Sequence, residues 1–529
     1  MIGYFCQIRN HVMIKITRQI TLSLLLSLTL LSCEKTPVVN KHAPDKEDET
    51  EDVLPTPLAK EQFSPSLKKY AYLPIMVKYA SSNSRPVVWK EEKTRILPYL
   101  LNFTPDTTVA HYLSVTNKYG SRTDRPKQEA TGRFRTAKVN GRWWIVDPEG
   151  YLHYNRCVNS LRKGNSARNS QAFKGRFASD ADWVAKTQKE LSSIGFHGTG
   201  AFCTNTYTLI QQHNSAHADT PLTIAPSFGF LSQFKSKAGG YPGGDSANEA
   251  GLVFYDGWEK FCKNYVKNGD VKQYLGDRNV LGIFSDNEID FSSGTSNKEK
   301  SYLLLRLFNI RDTNNPARKA AEEWCRNVLG KDPAEHSKIS DTDNSMFAGY
   351  VAEKYYSAVK AALTEADPGM MYLGTRLHGT PKYMQHVVEA AGKYCDIVSI
   401  NYYGRWSPEL DTKVKDWGEW AQKPFIVSEF YTKGIEDSDL DNTSGAGFAV
   451  PAQADRAYAY QHFTLSLLEA PNCVGWHWFK YQDDDGTDNS GKPANKGIYD
   501  NYYNMYPILG KYMKAVNLNV YNLIDFFGN

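Results

Sequence analysis

Val280-Leu281-Gly282-Ile283-Phe284-Ser285-Asp286-Asn287-Glu288 and, later in the chain, Pro424-Phe425-Ile426-Val427-Ser428-Glu429-Phe430-Tyr431 decide how this sequence is read. Each is a short apolar run with no polar alternation, closed by polar residues. A run of that length reads as a strand covered on both faces, as in a parallel sheet. Six further runs share the pattern: Tyr151–Asn159, His197–Cys203, Thr223–Phe230, Met370–His378, Cys395–Tyr403 and Cys473–Tyr481.

Between these runs the period becomes helical. Asp180–Ile194 carries Trp183, Val184, Leu191 and Ile194 on one face, with Ser179 or Asp180 as cap and Gly195 as stop. Pro316 opens a helix that runs to Leu329, Ser345–Ala366 predicts another before Asp367-Pro368-Gly369, and 452–470 reads as helical too. Eight strands alternating with helices from 151 to 529 predict a (β/α)8 barrel, an α/β fold of the TIM type, with enlarged loops. No GxGxxG follows any strand, so a dinucleotide-binding sheet loses its main support. Ahead of the barrel, 67–150 reads as a small β-rich module, with Asn140-Gly141 turning a hairpin between Thr136–Val139 and Arg142–Val146.

The N-terminus reads as an address. Lys15 and Arg18 precede the apolar run Ile20–Leu31, which is too short to span a bilayer of about 30 Å. The run ends in Leu30-Leu31-Ser32-Cys33, which resembles a lipoprotein processing site, with residues 1–32 as signal peptide and Cys33 as the lipidated first mature residue; Met13 is an alternative start. An ordinary cleaved signal with an incidental Cys is the alternative. Residues 33–66, with their prolines and the acidic stretch Asp45–Asp52, read as a solvated tether. The acidic stretch also resembles surface-export signals of Gram-negative lipoproteins, and a plain spacer explains it equally. The expected location is the bacterial outer membrane, facing the periplasm or the cell surface, held by the lipid alone.

The 529 residues carry 62 Lys and Arg against 58 Asp and Glu, with 41% hydrophobic and 13% aromatic residues. That is too apolar for disorder and too evenly charged for a nucleic-acid partner. Removing 1–32 takes away Arg9, Lys15 and Arg18 and no acid, which lowers the net charge from +4 to +1. Cys157, Cys203, Cys262, Cys325, Cys395 and Cys473 form no CxxC and there is no His cluster at metal spacing, so no metal and no cofactor is expected. Their pairing stays open. Asp483-Asp484-Asp485-Gly486 with Asp488 and Asn489 has a calcium-loop look but lacks the twelfth-position Glu, and reads rather as a solvated loop.

A barrel places its chemistry at the C-terminal strand ends. Glu288 ends the fourth strand and Glu429 the seventh, on opposite sides of the mouth, where two carboxylates about 5 to 5.5 Å apart suit a retaining glycosidase. A lone Glu at a strand end is ordinarily a solvated cap; two at these strands, the first preceded by Asn287, make a pattern. It resembles the large clan of retaining glycoside hydrolases with acid/base on strand four and nucleophile on strand seven. That resemblance implies Glu288 as acid/base, Glu429 as nucleophile and Asn287 on the sugar 2-hydroxyl.

More narrowly, Val139–Gly150, Phe284–Ile289, Val427–Tyr431, Thr443–Gly447 and Val474–Tyr481 resemble the β-agarases of glycoside hydrolase family 50, with that family's large N-terminal domain shortened to about 80 residues. The resemblance implies an exo-acting hydrolase of β-1,4-galactosidic linkages in agarose, releasing neoagarobiose. Further candidate sugar contacts are Trp476 and Trp478, which share one face of strand eight and either floor a subsite or fill the core; Tyr402 and Tyr403 at the end of strand six, either one a donor to the nucleophile; Arg376 and His378 at strand five; and Asn205 and His197 around strand two. Two rivals remain: a hydrolase of porphyran or another β-galactan, for which Arg376, Arg405, Lys433 and Lys480 are too few cations to decide, and a catalytically silent surface glycan-binding lipoprotein, which has no need of two opposed carboxylates.

Overall fold

Each of the eight apolar runs contains a strand, shorter than its run. The computed structural model describes residues 59–61, 70–79, 88–106, 108–294, 297–408, 413–435, 438–440, 442, 445–487 and 493–528. The signal segment, Cys33, the acidic stretch, Thr443-Ser444 and Asp488-Asn489 lie outside them. In chain order the strands are β1 (Ala59–Glu61), β2 (Tyr70–Lys78), β3 (Trp89–Thr94), β4 (Arg135–Val139), β5 (Arg142–Val146), β6 (Leu152–His153), β7 (Asn155–Val158), β8 (Gly198–Thr199), β9 (Thr223–Ile224), β10 (Ser227–Phe228), β11 (Ile283–Ser285), β12 (Tyr372–Gly374), β13 (Val398–Asn401), β14 (Phe425–Phe430), β15 (Thr432–Gly434), β16 (Phe448–Val450) and β17 (Cys473–Trp478).

Two sheets are wholly parallel: β10-β11-β12, and β13-β14-β17-β7-β8-β9. Isolated parallel bridges join the two sheets, Ile224 of β9 to Val280 just ahead of β11, and Leu377 just past β12 to Ile400 of β13. Inside lies a separate apolar cluster that takes Ala201, Ala225, Leu281, Phe284, Met371, Leu373, Ile397, Ile426 and Val474 from seven of the eight runs, with Phe134 and Ile145 among its other members. Parallel strands buried on both faces need this second cluster, because each presents side chains to helices on one side and to the interior on the other.

Several helices begin where short polar side chains satisfy free N–H groups. Ser179 Oγ accepts from Asp182 N at 3.1 Å and starts Asp180–Ser193. The helix Asp341–Ala366 starts four residues before the predicted Ser345, because Ser340 and Asp343 form a reciprocal capping box, Ser340 Oγ accepting from Asp343 N at 3.1 Å and Asp343 Oδ2 from Ser340 N at 2.7 Å. Pro316–Trp324 continues as a π-turn, Cys325–Leu329, before the left-handed Gly330.

The β-rich stretch lies within the same compact unit as the parallel strands, Glu51–Asn529, and divides its contacts between two places. β4 and β5 pair through Asn140-Gly141, whose φ values of +51° and +84° are those of a type I′ turn, and Trp143 N–H donates to Pro471 O at 2.8 Å just ahead of β17. β1, β2 and β3 join β15 and β16 in a mixed five-stranded sheet, so Ala59–Glu61, read from composition as tether, is a strand. β15 starts three residues after Glu429, which brings this sheet beside the end of β14.

Candidate active site

β11 leaves its sheet by a sharp turn. Asp286 and Glu288 take left-handed φ values of +51° and +58°, and Glu288 N–H donates to Thr375 O at 3.0 Å, tying the turn to the end of β12. β14, in the larger parallel sheet, carries a bulge. Ile400 pairs with Val427 but Asn401 pairs with Glu429, so Ser428 is an extra residue and the following side chain is re-aimed.

These two irregularities bring the carboxylates to a shared partner. Asn401 Nδ2 lies 2.7 Å from Glu288 Oε1 and 3.2 Å from Glu429 Oε2, and Asn401 is itself oriented by Ser428 Oγ, which donates to its Oδ1 at 2.9 Å. Tyr403 donates to Glu429 Oε1 at 2.7 Å. Arg376, with no exposed surface, donates through Nη2 to Glu429 Oε2, through Nη1 to Ser428 O at 3.2 Å and through Nε to Asn287 Oδ1 at 2.8 Å. That last bond occupies the Asn287 carbonyl, and the Asn287 side chain is solvent-exposed.

Burial pushes the Glu429 carboxyl above its ordinary range; the Arg376 charge and the Tyr403 hydroxyl act against that, and the nearby Glu288 adds to it. His378 Nδ1 lies 3.8 Å from Glu288 Oε1, and burial lowers the imidazole pKa although the carboxylate works the other way. The site therefore offers two adjacent carboxyls, one enclosed and charge-compensated, the other open on one side.

Several expected sugar contacts lie elsewhere. Trp476 and Trp478 are completely buried: their indole N–H groups donate to Tyr460 OH at 2.8 Å and Lys496 O at 3.0 Å, and both rings pack on Tyr460 of the helix Gln453–Leu468. They face the helix layer and fill core, so neither floors a subsite. The Tyr402 ring likewise packs against Trp417 and Phe463, and it is the Tyr403 hydroxyl that bonds the Glu429 carboxylate. Alternation along a strand forces both outcomes once one neighbour is inward. His197 stands at the other strand end, ahead of β8, and meets Tyr112 OH at 2.7 Å. Arg376, expected to meet sugar hydroxyls, is committed to Glu429, Ser428 and Asn287. Asn205 is exposed and, with Ser160, Arg162, Asn169, Lys480 and Gln482, lines a polar cavity of about 190 Å³ beyond strands one, two and eight.

Asn401 is the residue that sequence reasoning missed; only its place at the end of strand six, beside the two tyrosines, pointed to it. The Asp483–Asp485 carboxylates are all engaged. Asp483 accepts from Gly497 N, Asn495 and Tyr506, Asp484 pairs with Lys480 and with Lys496 at 2.9 Å, and Asp485 pairs with Arg168 at 2.5 Å. Such neutralised acids are poor calcium ligands. The six described cysteines are buried free thiols.

No protein-family model matches the chain. Beta-agarase B of Vibrio sp. (strain JT0107) is 25% identical over 488 residues, covering 77% of this chain and 50% of that protein, so the chain spans about half the length of this relative. A solved exo-beta-agarase superposes with a TM-score of 0.61 at 20% identity over 79% of this chain and 68% of its own, a likeness of fold. The solved BpGH50 superposes with a TM-score of 0.82 at 46% identity, covering 90% of this chain and all of its own. Identity at that level over a whole relative carries more than a shared scaffold, and the chain belongs to glycoside hydrolase family 50.

Proposed function

We propose that the protein is a retaining glycoside hydrolase that cleaves β-1,4-galactosidic linkages of agarose-type galactan from chain ends, releasing neoagarobiose. The observation that carries this is the single Asn401 nitrogen bonded to both carboxylates. The two oxygens it joins lie closer than the combined length of bonds of 2.7 and 3.2 Å. That leaves too little room for the water that an inverting pair holds between carboxyls roughly 6.5 to 9.5 Å apart, and suits direct attack.

In this reading Glu429 Oε1 attacks the anomeric carbon while Glu288 gives its proton to the departing glycosidic oxygen. Oε1 accepts from Tyr403, whereas Oε2 accepts from both Arg376 and Asn401, so Oε1 has the lone pair to spend. Water then enters, Glu288 takes its proton, and the glycosyl–Glu429 ester is hydrolysed with net retention. The Asn287 amide donates to the sugar 2-hydroxyl. In this reading the polar cavity at Asn205 receives the end of the sugar chain. The two parallel sheets, their connecting bridges and the enclosed apolar cluster fit the staves of one (β/α)8 barrel.

Agarose is favoured over a sulfated galactan because two of the cations nearest the mouth are already matched, Arg376 with Glu429 and Lys480 with Asp484. A glycan-binding protein without catalysis gives no reason for the bulge and the left-handed turn that bring the two carboxyls together. Reducing-sugar release from agarose, porphyran and carrageenan, with the anomer followed by NMR, tests the reading; release from porphyran alone, or an inverted first product, overturns it.

The pH profile follows from the same contacts. Glu429 must be ionised to attack, and its raised carboxyl places the acidic limb of kcat/KM above the roughly 4.3 of a free Glu. Arg376 opposes that rise, so Arg376→Met is expected to move the limb further toward neutral pH, read from kcat/KM between pH 4 and 9. A limb that moves down, or stays in place, contradicts Glu429 as nucleophile.

We also propose a lipid anchor at Cys33 in the outer membrane. No helix among the described residues is long and apolar enough to cross a membrane. Cys33→Ala is expected to move the protein from the membrane to the soluble fraction; a variant that still sediments with membranes places the anchor elsewhere.

A further inference from the structure

Asp286 stands two residues before Glu288 and has no part in the steps above. Its N–H donates to Phe228 O at 2.6 Å, and its carboxylate turns to the helix layer. There it accepts from Leu231 N at 3.1 and 3.0 Å, in the first turn of the helix Phe230–Lys237, and from Tyr355 OH at 2.5 Å, on the helix Asp341–Ala366. Burial raises this carboxyl to about 6 against the pull of those donors.

Glu288 is held far more lightly. Its carboxyl meets Asn401 at 2.7 Å and His378 at 3.8 Å, and its backbone is fixed by the bond to Thr375 O. Both residues occupy left-handed backbone, which a non-glycine residue keeps only where its surroundings impose it. For Glu288 the imposing contacts come from two sides, Thr375 just past the end of β12 and, through two peptide units, the clamp on Asp286.

We propose that Asp286 is the positioning residue for Glu288. Clamped between the Leu231 amide and the Tyr355 hydroxyl, it fixes the direction in which β11 ends and so the reach of the Glu288 carboxyl toward Asn401 and the glycosidic oxygen. The inference rests on Glu288 acting as the acid.

Asp286→Asn keeps the shape and weakens the clamp. On an oligosaccharide whose leaving group needs a proton, kcat is expected to fall about 10- to 100-fold with KM within about twofold, since a misplaced acid costs chemistry and little binding. On an aryl glycoside with a good leaving group, the rate of the first step is expected to stay within about threefold of wild type. A crystal structure of the variant is expected to show the Glu288 carboxyl drawn away from Asn401. Tyr355→Phe, which removes one donor, is expected to give a smaller loss with the same substrate split, and serves alone if Asp286→Asn does not fold. Equal losses on both substrates, no loss on either, or an unmoved Glu288–Asn401 contact overturn the proposal. If wild-type protein cleaves no galactan, the activity assigned above fails, while the position of Glu288 in the variant still decides this one.

Discussion

Replacing Glu429 by Gln is expected to lower kcat at least about a thousandfold, or about 4 kcal/mol of transition-state stabilisation, because the amide removes the negative charge that makes the carboxylate a nucleophile while keeping the shape that binds sugar. Oligosaccharide binding by calorimetry is expected to survive. The variant's thermal stability at neutral pH is expected to equal or exceed that of wild type. The sign follows from the raised carboxyl: its pKa in the fold lies above its unfolded value, so ionisation works against folding, fully above the folded pKa and not at all below the unfolded one. Removing the charge removes that cost. A variant that turns over agarose at near the wild-type rate excludes Glu429 as nucleophile, and one that loses all binding shows that Gln has disturbed the pocket itself.

Glu288→Gln is expected to lose about a hundred- to ten-thousandfold on substrates with poor leaving groups and much less on activated ones. What marks an acid/base residue is rescue. Azide is expected to restore turnover on an activated substrate and to give a glycosyl azide of retained configuration, because Glu429 still forms the covalent intermediate and the anion attacks it without needing a general base. The Glu429→Gln variant is expected to give no retained product under the same conditions. The upper limb of the pH profile is expected to vanish in Glu288→Gln on the activated substrate; if it persists, another group is the acid. Of the two histidines near the strand ends, His378 is the one to test, since His477 is sealed beneath Arg376, bonded to Asn155 at 2.7 Å and pushed down to about 3 by burial.

The sequence exposed the strands because a strand between two apolar layers has almost no freedom in composition. Phe425-Ile426-Val427 admits little else, and the polar residues that end such runs stand out against it. For that reason Glu288 and Glu429 were legible. What the sequence concealed was direction. Period-two alternation places Trp476 and Trp478 on one face, but nothing in the residues says which face, and in the fold it is His477 that turns inward and the indoles that meet the helices. Tyr402 and Tyr403 divide in the same way. The bulge at Ser428 is invisible in a run of buried residues, so Asn401 could not be assigned its two carboxylate partners before register was known. Sheet β1-β2-β16-β15 was hidden because its strands are gathered from both ends of the chain.

β17 pairs with β7, Gly475 opposite Asn155 and Trp478 opposite Val158, so the first parallel strand to be synthesised has one neighbour that emerges only near the end of translation. At about 5 to 20 residues per second that interval lasts roughly tens of seconds, during which β7 presents an unpaired edge. The β4-β5 hairpin, local in sequence, can form at once, but its Trp143 must wait for the carbonyl of Pro471. A product truncated before Cys473 lacks β17, so its β7 edge is expected to stay unpaired and to template aggregation.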